Sequence, residues 1–123
     1  MINQILLIDD DPVINFIHSR IIRKKFPEIT LLVFTNGMEA MNHIKEHPNI
    51  NYHIFLDLNM PDLDGWDFLD LLSTEAEGIN TKISIVTSSI DPADRLKSNQ
   101  FPKVVSFFSK PLTIEDLVNI SLD

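Results

Sequence analysis

Residues 54–65 read Ile54-Phe55-Leu56-Asp57-Leu58-Asn59-Met60-Pro61-Asp62-Leu63-Asp64-Gly65. A short apolar run stops at a carboxylate, and a turn rich in Asp, Pro and Gly follows it. The run has the length and composition of a strand buried on both faces, as in a parallel sheet. Asp64-Gly65 then begins a helical pattern with Trp66, Phe68, Leu69 and Leu72 facing inward, ending near Gly78. Asp57 therefore sits where a buried strand gives way to a polar turn.

The same pattern extends in both directions from this stretch. Upstream, a strand at Ile5 to Ile8 runs into Asp9-Asp10-Asp11, and Asp11-Pro12 opens a helix as cap and first-turn proline. Val13, Phe16, Ile17, Arg20, Ile21 and Lys24 follow at helical spacing until Pro27. Leu31 to Phe34 reads as a second strand, and Asn36-Gly37 turns into a helix carrying Ala40, Met41 and Ile44 that Pro48 closes. The third strand is Ile54 to Asp57. Downstream, Ile83 to Thr87 is a fourth strand, and Asp91-Pro92 opens a short helix around Ala93 to Lys97. Val104 to Phe108 is a fifth strand, and Thr113 with Asp116 caps a last helix bearing Ile114, Leu117 and Ile120. Strands alternating with helices predict an α/β fold with one parallel sheet.

Composition narrows the class. A chain of 123 residues, 44% hydrophobic and 23% charged, is one globular domain without low-complexity tracts. A net charge of −8 disfavours nucleic acid and anionic membrane as partners. The absence of cysteine excludes disulfides and thiolate metal sites. The N-terminal apolar run is too short for a signal peptide or membrane span, so a cytoplasmic protein is the expectation.

Ligands bind at the carboxyl ends of strands in an open parallel sheet. Asp9, Asp10, Asp57, Thr87 and Lys110 all fall there. Adjacent carboxylates repel and share a proton or a cation, and hard oxygen donors with room for water suit Mg²⁺. Asp57 can attack phosphorus and become an aspartyl phosphate. Thr87 offers a hydroxyl to a phosphoryl oxygen, and Lys110 offers an ammonium as counter-ion and clamp. Asp11 fits a cap better than a metal ligand, and Asp62 and Asp64 fit a turn and a cap. An EF-hand loop with Gly65 at its sixth position would need ligands at Met60 and Leu71, so it is rejected. Gly37, Gly65 and Gly78 cannot form a phosphate-binding or dinucleotide fingerprint. His18, His43, His47 and His53 read as structural or surface groups.

Taken together, Asp9-Asp10, Asp57 with Met60 to Gly65, Thr87 and Lys110-Pro111 resemble a response regulator receiver domain of two-component signalling. The spacing is 47 residues from Asp10 to Asp57, 30 on to Thr87 and 23 on to Lys110. The resemblance covers essentially the whole chain. It implies a flavodoxin-like, doubly wound five-stranded sheet in order 2-1-3-4-5 with five helices. It implies that Asp57 accepts a phosphoryl group from a phosphohistidine on a sensor histidine kinase or histidine phosphotransfer protein. It further implies Mg²⁺ bound by Asp10, Asp57 and the backbone carbonyl of Asn59, with Asp9 acting through water. Thr87 matches the conserved hydroxyl and Phe107 the switch aromatic, here without a tyrosine hydroxyl. The chain ends 13 residues after Lys110, so a single stand-alone receiver over residues 1–123 is expected, signalling to a partner protein.

Two other readings stand beside this one. A degenerate receiver would act as a binding module without phosphorylation. A metal-dependent phosphatase with an aspartyl nucleophile would need a second acid two residues after it, and that position is Asn59. The expectation is therefore a phosphoacceptor that assists its own phosphotransfer and dephosphorylation, not an enzyme acting on other substrates.

Overall fold

The computed structural model describes residues 1–122. Its elements are β1 (Gln4–Ile8), α1 (Pro12–Lys25), β2 (Thr30–Phe34), α2 (Gly37–Glu46), β3 (Tyr52–Leu56), α3 (Gly65–Glu75), β4 (Thr81–Thr87), α4 (Pro92–Ser98), β5 (Val104–Ser109) and α5 (Ile114–Leu117). The strands form one parallel sheet in order β2-β1-β3-β4-β5. This is the expected flavodoxin-like arrangement. The strands match the expected runs within one or two residues. The third differs in one useful way, since it starts at Tyr52 and stops at Leu56, leaving Asp57 just outside it.

Alternation along each strand sends successive side chains to opposite faces. Leu6 and Ile8 of β1 join a core with Ala40, Met41 and Ile44 of α2 and with Phe68, Leu69 and Leu72 of α3. Ile5 and Leu7 join a second core with Ile22 of α1 and with Leu112 and Leu117. β3 is buried at all five positions, Ile54 to Leu56 as their apolar run requires, and His53 with its ring bonded to Ser84.

Two expected details differ, and α1 adds a feature that its spacing does not reveal. Much of its helical series faces solvent, with Val13 65% exposed and Phe16 61% exposed, while Ile21 packs on the second core. The inward face is Asn15, His18, Ser19 and Ile22. One polar atom each of Asn15, His18 and Ser19 bonds to a backbone group, which offsets part of their desolvation. Trp66 is only partly buried, stacked on Phe101 at 5.9 Å between centroids, with the Lys97 ammonium 4.6 Å from its ring centre. The last helix is a single turn, and Ile120 packs on the second core from beyond its end.

The helix starts follow their sequence signals. Asp11 accepts from the N–H groups of Val13 and Ile14. Asp64 with Asp67, and Thr113 with Asp116, form reciprocal capping boxes. Asp62 takes φ 65°, a left-handed conformation that Asp tolerates better than most residues.

Candidate functional site

Strand register brings the site together. Ile8 pairs with Leu56, so Asp9 and Asp57 leave the sheet side by side. The Asp57 N–H donates to the Ile8 carbonyl at 3.0 Å. Thr87 pairs with Ser109, and the Lys110 N–H donates to the Thr87 carbonyl at 2.9 Å. Four consecutive strand ends in the sheet thus deliver an acid, an acid, a hydroxyl and an ammonium to one edge.

The side chains then meet. Lys110 Nζ is 2.6 Å from Asp9 Oδ2 and 3.2 Å from Asp57 Oδ2. Asp9 is 2% exposed, Asp57 3% and Thr87 fully buried. Asp9 Oδ1 accepts from the Asp11 N–H at 2.9 Å, and Asp57 Oδ1 accepts from the Asn59 N–H at 3.3 Å. Thr87 Oγ1 accepts from the Ser89 N–H at 3.2 Å and from Asn59 Nδ2 at 3.4 Å. Phe107 lies farther back on β5, half-buried against the first core, with the Arg95 guanidinium 5.5 Å from its ring centre.

Two buried carboxylates share one ammonium. Burial, then the neighbouring charge of Asp9, push the Asp57 carboxyl above its ordinary range, while Lys110 and the Asn59 N–H pull it back. For Lys110, burial disfavours the charged form. The hydrogen bond to Asp9 and the two carboxylate charges outweigh that and hold the ammonium above its ordinary value. The trio carries excess negative charge in a water-poor setting.

Asp10 is exposed, yet one oxygen each from Asp9, Asp10 and Asp57 lie within 4.8 Å of one another. Three hard carboxylate donors beside an uncompensated charge fit a small divalent cation that keeps part of its water shell, as Mg²⁺ does.

Gly65 sets the approach of α3 to this cluster. A Cβ there would lie 2.5 Å from the Asp57 carbonyl and 2.8 Å from Leu58 Cα. The helix start can sit against the acidic turn only without a side chain.

Asn15 is a neighbour of the site that no sequence motif flags, and His18 is buried and structural, as expected. Asn15 Nδ2 donates to the Asp9 carbonyl at 2.6 Å, and the Leu112 N–H donates to His18 Nε2 at 3.0 Å. The available signal was a pair of polar residues three apart on a helix that follows the acidic run. The other histidines are structural, as expected: His53 pairs with Ser84 at 2.8 Å and His43 with Gln4 at 3.0 Å.

The response regulator receiver domain profile matches residues 5–121, and the chain belongs to that family. It is 30% identical over 92 residues to the sensor histidine kinase CheAY of Helicobacter pylori, covering 75% of this chain and 11% of that protein. It is 28% identical over 120 residues to the two-component response regulator ORR26 of Oryza sativa subsp. japonica, covering 95% of this chain and 19% of that protein. The chain thus spans a small part of these curated relatives. Among solved structures, a two component response regulator from Cytophaga hutchinsonii superposes with a TM-score of 0.84 at 32% identity, covering 96% of this chain and 92% of that one. A response regulator receiver protein from Dyadobacter fermentans gives a TM-score of 0.82 at 21% identity, over 93% and 91% of the two chains, which speaks to the fold alone. No helix among the described residues is long and apolar enough to cross a membrane.

Proposed function

We propose that this chain is a phosphorylation-dependent switch with Asp57 as its acceptor. The observation that supports this best is the convergence of Asp57 and Asp9 on Lys110, at 3.2 and 2.6 Å. An Asp57 oxygen attacks the phosphorus of a phosphohistidine, on a histidine kinase or histidine phosphotransfer protein. The P–N bond breaks, and its electron pair returns to the donor imidazole. Asp9, Asp10, Asp57 and the Asn59 carbonyl would hold Mg²⁺, which supplies charge neutralisation as the two anions approach. Lys110 stays on the side of the developing phosphoryl charge as a clamp. Thr87 gives up its contacts to donate its hydroxyl to a phosphoryl oxygen. Water attack on the aspartyl phosphate later resets the switch.

Output is a protein–protein contact on the face of α4, β5 and α5, where Leu96 (69% exposed), Val105 (54%) and Val118 (61%) offer apolar surface. Thr87 and Lys110 lie at the strand ends bordering this face, and the net charge of −8 suits a protein partner over nucleic acid.

The test is incubation with a small phosphodonor and Mg²⁺, followed by intact-mass measurement. One phosphoryl group is expected on the wild type, and none with Asp57→Asn or with chelator. A wild-type chain that gains no mass would point to a binding module; phosphorylation retained in Asp57→Asn would remove Asp57 as acceptor.

A further inference from the structure

We infer that Asn15 and His18, on the inward face of α1, are positioning residues that brace Lys110 against its two carboxylates. The inference rests on the function proposed above for Asp57 and Lys110, and it concerns how that site is held.

The polar contacts of this face lead into the site from both sides. Asn15 is 4% exposed and donates to the carbonyl of Asp9 at 2.6 Å. His18 is 1% exposed, and its Nε2 accepts from the Leu112 N–H at 3.0 Å. One turn of helix therefore holds the backbone of the acid and the backbone of the loop bearing the base. The ammonium and carboxylate whose distance it fixes are 2.6 Å apart.

His18 holds the one backbone N–H of residues 110–113 that reaches α1. The Lys110 N–H goes to Thr87, Pro111 has none, and the Thr113 N–H goes to Asp116 within the cap. The Leu112 N–H is tied to α1 by His18. Because that N–H donates, Nε2 is the bare nitrogen and Nδ1 carries the proton.

The arrangement carries a cost. His18 Nδ1 and Asn15 Oδ1 are buried without a hydrogen-bond partner. An apolar residue would fill this face without that penalty. The contacts made by the other atom of each side chain account for polar groups at these positions.

Loss of the tie lets the loop drift, and a clamp misplaced by about 1 Å loses much of its effect. The experiment compares wild type with His18→Leu, His18→Gln and Ile22→Val. Leucine fills the volume without an acceptor, glutamine returns an oxygen near the Nε2 position, and Ile22→Val loosens the same face away from the loop. His18→Leu should be folded, bind Mg²⁺ as the wild type does, and take phosphate from a small donor about tenfold more slowly. His18→Gln should recover most of that rate. Ile22→Val should melt lower yet react at the wild-type rate. NMR of the Lys110 side chain in the metal-free protein, which needs no phosphoryl transfer, should shift in His18→Leu and return in His18→Gln. Unchanged Lys110 resonances in His18→Leu, or a wild-type rate in that variant, would overturn the inference. Shifted resonances in a protein whose wild type accepts no phosphate would uphold the brace and retire the proposed function instead.

Discussion

Lys110 is held more closely by Asp9 Oδ2, at 2.6 Å, than by Asp57 Oδ2, at 3.2 Å. The ammonium is thus anchored on the acid that is not the proposed acceptor. It can turn toward a phosphoryl group on Asp57 without leaving its nearer partner. The same pairing leaves Asp57 undercompensated, and that imbalance should be measurable.

A cation shared by Asp9, Asp10 and Asp57 would relieve their repulsion, so Mg²⁺ should raise the melting temperature saturably. A gain of about 2–3 kcal/mol is expected at a concentration near 100 times the dissociation constant. Asp10 is exposed, so Asp10→Ala should fold normally and lose most of the response. A thermal melt titrated with Mg²⁺ reads both. If Asp10→Ala responds like wild type, Asp10 is no ligand.

Gly65→Ala should be costly for a single methyl group. The added carbon would meet the Asp57 carbonyl at 2.5 Å, and backbone cannot swing aside as a flexible side chain would. We expect a loss of about 1–3 kcal/mol in denaturant unfolding, together with slower phosphorylation because the Asp57 turn is displaced. Full stability and full rate in the variant would show that α3 can retreat without consequence.

Acid sensitivity should come in part from His53, far from the chemistry. Burial, with a lesser push from Lys82, lowers its ring from 6.5 to about 4. Between those values the unfolded chain binds a proton that the folded protein refuses. Stability is therefore present above pH 6.5 and falls as pH drops toward 4, by about 3 kcal/mol at roughly 1.4 kcal/mol per unit. Chemical denaturation from pH 7 to 4 in wild type and His53→Gln should show a shallower slope in the variant. Parallel slopes would mean that the folded protein accommodates the charged ring.

The fold was legible because its strands are centred on short, mostly apolar runs and its helices begin with Asp-Pro, Asn-Gly or a capping box. Asp9, Asp10, Asp57, Thr87 and Lys110 were legible for a topological reason. Each stands at the end of such a run, and a parallel sheet gathers those ends at one edge. The buried face of α1 was not legible, because hydrophobic periodicity points to the apolar side. Here Val13 and Phe16 lie outside, while Asn15 and His18 turn inward to backbone partners that only the tertiary fold supplies. Likewise the last helix stops after one turn although Ile120 keeps its place in the core, since burial does not require helical backbone.

Phe107 should carry the state of Asp57 to the surface. It pairs with Ile85 in the β4–β5 ladder, two residues before Thr87. Thr87 Oγ1 is held by a 3.2 Å contact from Ser89 and a long 3.4 Å contact from Asn59, weak enough to be exchanged for a phosphoryl oxygen. As Thr87 moves, the space beside β4 changes, and Phe107 is the half-buried ring next to it. Arg95 lies over that ring at 5.5 Å, so an inward turn of Phe107 would also release a cation of α4. Phe107 has no hydroxyl to bond on either side of such a turn, so the two positions differ by packing and the cation–π contact alone. The latter is about 0.5–1 kcal/mol at a half-exposed site, while moving the population from mostly one state to mostly the other takes about 5.5 kcal/mol for a 99:1 reversal. Most of the bias must therefore come from the phosphoryl contacts of Thr87 and Lys110. Amide NMR of the free protein and of a phosphoryl mimic should show shifts running from Asp57 through Thr87 to Phe107, Phe108 and α5. Phe107→Ala should still accept phosphate while α4 and α5 cease to respond, and Thr87→Ala should silence Phe107 as well. Shifts confined to the turn around Asp57 in the wild type would show that this aromatic is plain core and that the signal leaves by another route.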